Sequence, residues 1–138
     1  TGVQTCALPI YQKLLREFYQ RLLNLSLNEK AISEGIMYDL QYSNLHNPAY
    51  NPNKQFAYFK KYEDELVLIV VNFEEKPVDI LLNVPIEALD YLQMDKNVSY
   101  QYADLLDEAY VGNFNFNAQS LIEISTPSFT GRILKLNL

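Results

Sequence analysis

An unbroken apolar run, Leu66-Val67-Leu68-Ile69-Val70-Val71, sets the strongest constraint on what this chain can fold into. Side chains alternate between the two faces of a strand, so a run without polar positions has to be covered on both sides. It is strand-sized and far short of the roughly 20 residues that span a bilayer. Burying each of these side chains contributes about 1.5 to 3 kcal/mol. The run therefore predicts a central strand between two layers.

Upstream, Tyr11, Leu14, Leu15, Phe18, Leu22 and Leu25 recur at helical spacing within an arc of about 100°, which predicts one amphipathic helix over Tyr11 to Leu25. Ser26 and Asn28 interrupt it, a short turn runs through Ile32, and Gly35 is expected to reverse the chain. Beyond Gly35 the period becomes that of strands: Ile36 to Tyr42, Gln55 to Tyr62, Leu66 to Phe73 and Val78 to Val84. Asn44 to Lys54 reads as a loop and Glu63-Asp64-Glu65 as a hairpin connection. Pro85 ends the fourth strand, and Ile86 to Leu92 reads as one helical turn. Val98 to Leu106, Ala109 to Phe116, Ser120 to Ser125 and Arg132 to Leu136 complete about seven or eight strands. The expected fold is mainly β, an antiparallel sandwich preceded by one helix.

With 138 residues there is room for one domain and an appended element. The net charge is −6 and the 11 basic residues are scattered, so no cationic stripe exists for nucleic acid. No segment is apolar enough to predict a membrane span. A single cysteine, Cys6, excludes an internal disulfide, and with His46 the only histidine no Cys/His metal site or cofactor ligand set is expected.

Residues 1–10, Thr-Gly-Val-Gln-Thr-Cys-Ala-Leu-Pro-Ile, read codon for codon as the in-frame translation of a common short-read sequencing adapter, ACT GGA GTT CAG ACG TGT GCT CTT CCG ATC. A native loop before a helix is the alternative. The segment lacks the basic and apolar regions of a signal peptide and is excluded from fold reasoning. The natural protein is then expected to continue upstream of Tyr11, leaving its compartment, cytoplasmic or exported, open.

Glu63, Asp64 and Glu65 suggest an acid/base pair or a calcium site, but neighbours in a turn cannot face one another across a substrate, and a solvated hairpin is the expectation. His46, beside Asn44 and Asn47, is expected to be a surface loop histidine. The 11 tyrosines invite a sugar-stacking reading, for which Tyr50, Tyr91 and Tyr110, in or beside predicted loops, are the candidates. The helix face of Leu14, Leu15, Phe18 and Leu22 is expected to pack on a partner outside the chain, because unpartnered it would expose an apolar patch large for a monomer; covering the sandwich is the alternative.

Several segments, in order, carry a resemblance: Leu14 to Leu25, the passage Ala31-Ile32-Ser33-Glu34-Gly35, Phe56 to Tyr62, Leu66 to Asn72-Phe73, and the closing Gly131-Arg132-Ile133-Leu134-Lys135-Leu136. Together they resemble the end of enzymes of the α-amylase family, glycoside hydrolase family thirteen. The resemblance implies that residues 11–34 are the last helix of a (β/α)₈ barrel with its connector, and that 35–138 form the C-terminal sandwich. It implies a catalytic barrel upstream as partner, acting on α-glucans with retention through an Asp nucleophile, a Glu acid/base and a second Asp, with calcium a candidate cofactor there. None of those barrel strands is in this sequence, so no residue here inherits a catalytic role. A stand-alone carbohydrate-binding module and an Ig-like structural module are the competing readings.

Overall fold

The computed structural model describes residues 10–117 and 121–138. The adapter-like segment, Ile10 apart, and the predicted strand start at Ser120 lie outside the described residues. Helices α1 (Ile10–Asn28) and α2 (Lys30–Glu34) lead into β1 (Ile36–Asp39) and a 3₁₀ turn (Tyr42–Asn44). Strands β2 (Gln55–Tyr62), β3 (Glu65–Asn72) and β4 (Val78–Asn83) follow, then α3 (Ile86–Tyr91), β5 (Ser99–Asp104), β6 (Val111–Asn115), β7 (Leu121–Thr126) and β8 (Thr130–Leu136). All pairings are antiparallel. One sheet has the order β1-β2-β3-β8-β5-β6, and the second pairs β4 with β7. The fold is the mainly β, sandwich-like architecture that the alternation predicts.

β3 is covered on both faces. Its Leu66, Leu68 and Val70 join Phe59, Leu134, Phe114 and the facing Ile80, Leu82, Ile122 and Ile124 in the core between the sheets. Val67 and Ile69 point the other way, into a second cluster with Ile133, Ala31, Leu22 and Leu25. The outer layer is thus built by α2 and the C-terminal half of α1. Polar straps hold it: Arg21 donates to the carbonyls of Leu105 and Leu106 at 3.3 and 2.8 Å, Lys60 Nζ donates to Ile32 O at 2.5 Å, and Lys135 pairs with Glu29 at 2.7 Å.

Three expectations are corrected. α1 continues to Asn28, because the Ser26 hydroxyl donates to Leu22 O within the helix at 3.0 Å instead of diverting the chain. Gly35 does not reverse the chain through a left-handed conformation; its φ is −69°. It is required for close approach, since a Cβ there would lie 2.2 Å from Ala31 O and 2.9 Å from Lys61 O. The first strand stops at Asp39 rather than Tyr42, because buried Asn44 pulls the chain inward. Its amide donates to Leu40 O at 2.8 Å and Asn83 O at 3.0 Å and accepts from Asn83 N at 2.8 Å.

The closing strand brings one cation inside. Buried Arg132 pairs with buried Asp104 at 2.9 Å, lies 3.5 Å from the Tyr110 ring centroid and donates through Nε to Ser125 O. Asp104 also accepts from the backbone N–H groups of Ile133 and Leu106 at 3.1 and 3.0 Å. Asp107, 3.7 Å from the same guanidinium, is exposed.

Leu68 is fully buried, so Leu68→Ala should lower unfolding free energy by about 2 to 5 kcal/mol in urea titrations. Asp104→Ala removes the buried carboxylate partner of Arg132 and the acceptor of two N–H groups and should cost about 3 to 5 kcal/mol, whereas Asp107→Ala should cost no more than about 1 kcal/mol. Equal losses for the two aspartates would show that the buried pair does not fix the closing strand.

Candidate functional site

Two surfaces differ from the rest of the molecule, one aromatic with a polar rim and one apolar. The first forms where β1, the 3₁₀ turn and α3 meet. Tyr38 leaves β1 half-buried; the turn at Asn44 brings Tyr42 against it, ring centroids 6.1 Å apart and edge-to-face, with the two hydroxyls hydrogen-bonded. α3 ends on Tyr91, whose ring lies 5.4 Å from that of Tyr38. Tyr42 and Tyr91 are 53 % and 55 % exposed. Burial, and then the bond to Tyr42, push the Tyr38 phenol well above the ordinary tyrosine range, so it stays protonated and keeps its hydrogen bond at any ordinary pH. Beside Tyr91 opens a basin of about 520 Å³ lined by Glu34, Ile36, Lys61, Glu63 and Gln93 among others. Lys61 Nζ donates to Leu92 O at 2.6 Å, fixing the end of α3 that carries Tyr91.

The second surface is a groove of about 470 Å³ between α1 and the outer face of the large sheet. Phe18, Leu22 and Ser26 form its helical wall, and Tyr58, Ile69 and Ile133 its floor. At its open end Phe73 and Phe129 are 50 % and 64 % exposed. Phe73 follows Asn72, whose amide donates to Lys76 O at 3.2 Å and Pro127 O at 3.0 Å. That side chain ties together the turn before β4 and the turn after β7, which meet at one end of the pair, and Phe129 N donates to Glu74 O at 3.2 Å beside Phe73.

Of the residues singled out in the sequence, Tyr91 belongs to the aromatic surface. Tyr50 does not: it is only 4 % exposed, and its hydroxyl bonds to Gln41 and, at 3.0 Å, to Gln55 O. A ring so enclosed presents no face to a sugar. Tyr110 is half-buried, with Arg132 on one face and its hydroxyl accepting from Ser125 N at 3.1 Å. Phe18 and Leu22 line the groove, and Leu22 packs on the outer cluster; the side chains of Leu14 and Leu15 lie outside the described residues. Glu63 and Asp64 form the exposed tip of the β2–β3 hairpin. Glu65 begins β3 and accepts from Ala31 N at 3.2 Å. His46 is exposed in the loop after the 3₁₀ turn.

Tyr38 and Tyr42 were not singled out by the sequence, although their even spacing at the end of a predicted strand is a signal for one face. Among the described residues no group of three or more His, Cys, Asp or Glu is placed to hold a metal ion, and no helix is long and apolar enough to cross a membrane.

No protein-family model matches the sequence, and no curated protein gives a significant match. Solved structures do. An Anoxybacillus α-amylase, described as a new glycosyl hydrolase subclass, superposes with a TM-score of 0.58 over 88 % of this chain at 15 % identity. AmyP, solved in complex with maltose, gives 0.61 over 94 % at 16 % identity. An isomaltulose synthase from Erwinia rhapontici gives 0.53 over 88 % at 18 % identity. The likeness is one of fold. This chain spans 22 %, 22 % and 17 % of those chains.

Tyr102 stacks on Phe114 with centroids 4.2 Å apart, and burial, with the neighbouring Tyr110 adding to it, pushes its phenol from 10.0 up to about 12. A phenol raised in the folded state favours folding fully below the unfolded value and loses that contribution as pH rises through the folded one. The melting temperature should therefore show no tyrosine-linked fall below pH 10.0 and should drop as pH approaches about 12. An equally steep alkaline fall in a Tyr102→Phe variant would contradict this.

Proposed function

We propose that this chain is the non-catalytic C-terminal part of an α-amylase-type glycoside hydrolase acting on α-glucans such as starch, glycogen or maltooligosaccharides. On this reading residues 11–34 end a (β/α)₈ barrel, residues 35–138 are its C-terminal sandwich, and the role of the chain is to cover apolar barrel surface and stabilise the catalytic domain. The observation that carries it is the fold match that takes in 88 % to 94 % of this chain and only 22 % of the α-amylase and AmyP chains.

The groove supports the same reading. Phe73, Phe129 and the Tyr19 edge of α1 are exposed apolar groups along one opening, the kind of contiguous patch that marks an interaction surface. Interfaces between domains of one chain commonly bury such patches. The parent would supply the chemistry: an Asp nucleophile, a Glu acid/base and a second Asp at the C-terminal ends of barrel strands, with any calcium ion held there too. This chain would provide neither catalytic nor cofactor groups.

A stand-alone carbohydrate-binding module is the second reading, favoured by the exposed Tyr42 and Tyr91. Sequencing the source DNA upstream of the Tyr11 codon separates the two. An open frame encoding barrel strands with the Asp, Glu and Asp set is expected; a start codon or an unrelated domain would overturn the proposal. At the protein level, Phe73→Ser with Phe129→Ser should change the stability of the isolated chain by no more than about 1 kcal/mol, yet lower the melting temperature of the intact enzyme. Unchanged melting of the intact enzyme would sink the docking role of the groove.

A further inference from the structure

The aromatic surface on β1 and α3 differs from the groove in what surrounds its rings. Around Phe73 and Phe129 the groove is lined mainly by apolar side chains, Phe18, Leu22, Ile69 and Ile133 among them, as for a surface that another protein layer covers. Around Tyr91 the rim carries Glu34, Lys61, Glu63 and Gln93, with Ile36 as an apolar wall. Exposed rings among hydrogen-bonding side chains suit a ligand that is itself apolar on one face and densely hydroxylated at its edge. A pyranose has that character. Its C–H face packs on an aromatic ring, and its hydroxyls donate to carboxylates and accept from amides and ammonium groups.

The rings are also held in place before any ligand arrives. Tyr42 and Tyr91 both pack on Tyr38, the Tyr42 hydroxyl is tied to that of Tyr38, and Lys61 clamps the carbonyl next to Tyr91. Gln93, two residues beyond the end of α3, has φ 54° and lines the basin. Preorganised rings lose little freedom on binding.

We propose that Tyr91 and Tyr42, braced by Tyr38, form with the adjoining basin a non-catalytic binding site for a pyranose oligosaccharide, the rings taking the apolar sugar faces and Glu34, Glu63 and Gln93 the hydroxyls. The site stands on its own geometry; only the choice of an α-glucan as first probe rests on the proposed function.

The test is a titration of the isotope-labelled 138-residue chain with maltoheptaose and, separately, cellohexaose, followed by amide NMR shifts. Saturable shifts at Gln93 and Tyr42 are expected with maltoheptaose. Tyr91→Ala should weaken binding about tenfold, whereas Tyr91→Phe, which keeps the ring, should stay within about twofold of the parent. Tyr19→Ala, on the groove, should leave the dissociation constant unchanged. Binding of cellohexaose alone would support the site and count against the α-glucan reading of the parent. Maltoheptaose binding without a barrel encoded upstream would keep the site and overturn the parent. No saturable shift with either sugar, shifts gathered at Phe73 and Phe129, or unaltered binding by Tyr91→Ala would each overturn the site.

Discussion

The fold depends on burying both faces of β3. A strand with apolar side chains at six successive positions cannot lie at a surface, so the chain must build a layer on each side of it. The inner layer is the β4–β7 pair with α3, and the outer layer is α2 and part of α1. The outer layer is narrower than the sheet it covers. Where α1 stops shielding Ile69 and Ile133 the groove begins, so the same demand that folds the domain also leaves its main apolar opening.

Polar groups then decide how the layers register. Apolar contacts are tolerant of sliding, whereas a buried polar side chain without its partners is costly. Arg132, Asp104, Asn44, Asn72 and Gln55 are all buried; the first four bridge elements distant in sequence, and Gln55 secures the loop that precedes it. Asp104 receives β8, and Asn44 joins the loop after β1 to β4. Gln55 accepts from Asn51 N at 2.8 Å while its carbonyl takes the Tyr50 hydroxyl. That pair holds a Pro- and Asn-rich loop against the sheet without regular structure. The aromatic surface depends on this anchoring, since Tyr42 is placed by the turn that Asn44 completes.

Much of this was legible in the sequence because period is a local signal. The alternation gave the ranges of β2, β3 and β4 to within a residue or so, and the two-sided apolar run located the centre of the sheet. What local pattern could not convey was partnership. Nothing in the spacing of Asn44 says that its amide reaches Asn83, so the pattern extends β1 to Tyr42 and carries no sign that Tyr38 meets Tyr42 and Tyr91. Tyr50 misled for a related reason. It sits in a segment with loop composition, yet loops that carry buried side-chain hydrogen bonds can hold core residues. Arg132 was legible only as part of a closing strand, its buried partner lying 28 positions away.

β8 lies between β3 and β5 in the sheet order, although it is last in the described sequence. Its residues pair with Leu66–Asn72 on one side and Tyr102–Asp104 on the other. Until Thr130–Leu136 is available, β3 and β5 are unpaired edges with no route to each other. Such pairings carry a large loop-closure cost before any contact repays it, and they slow folding. During synthesis the hairpin of β2 and β3 would therefore wait with an apolar edge open, a template for strand addition by other chains. The same insertion makes the finished sheet cooperative, because removing one central strand would separate it into two pieces that share no ladder.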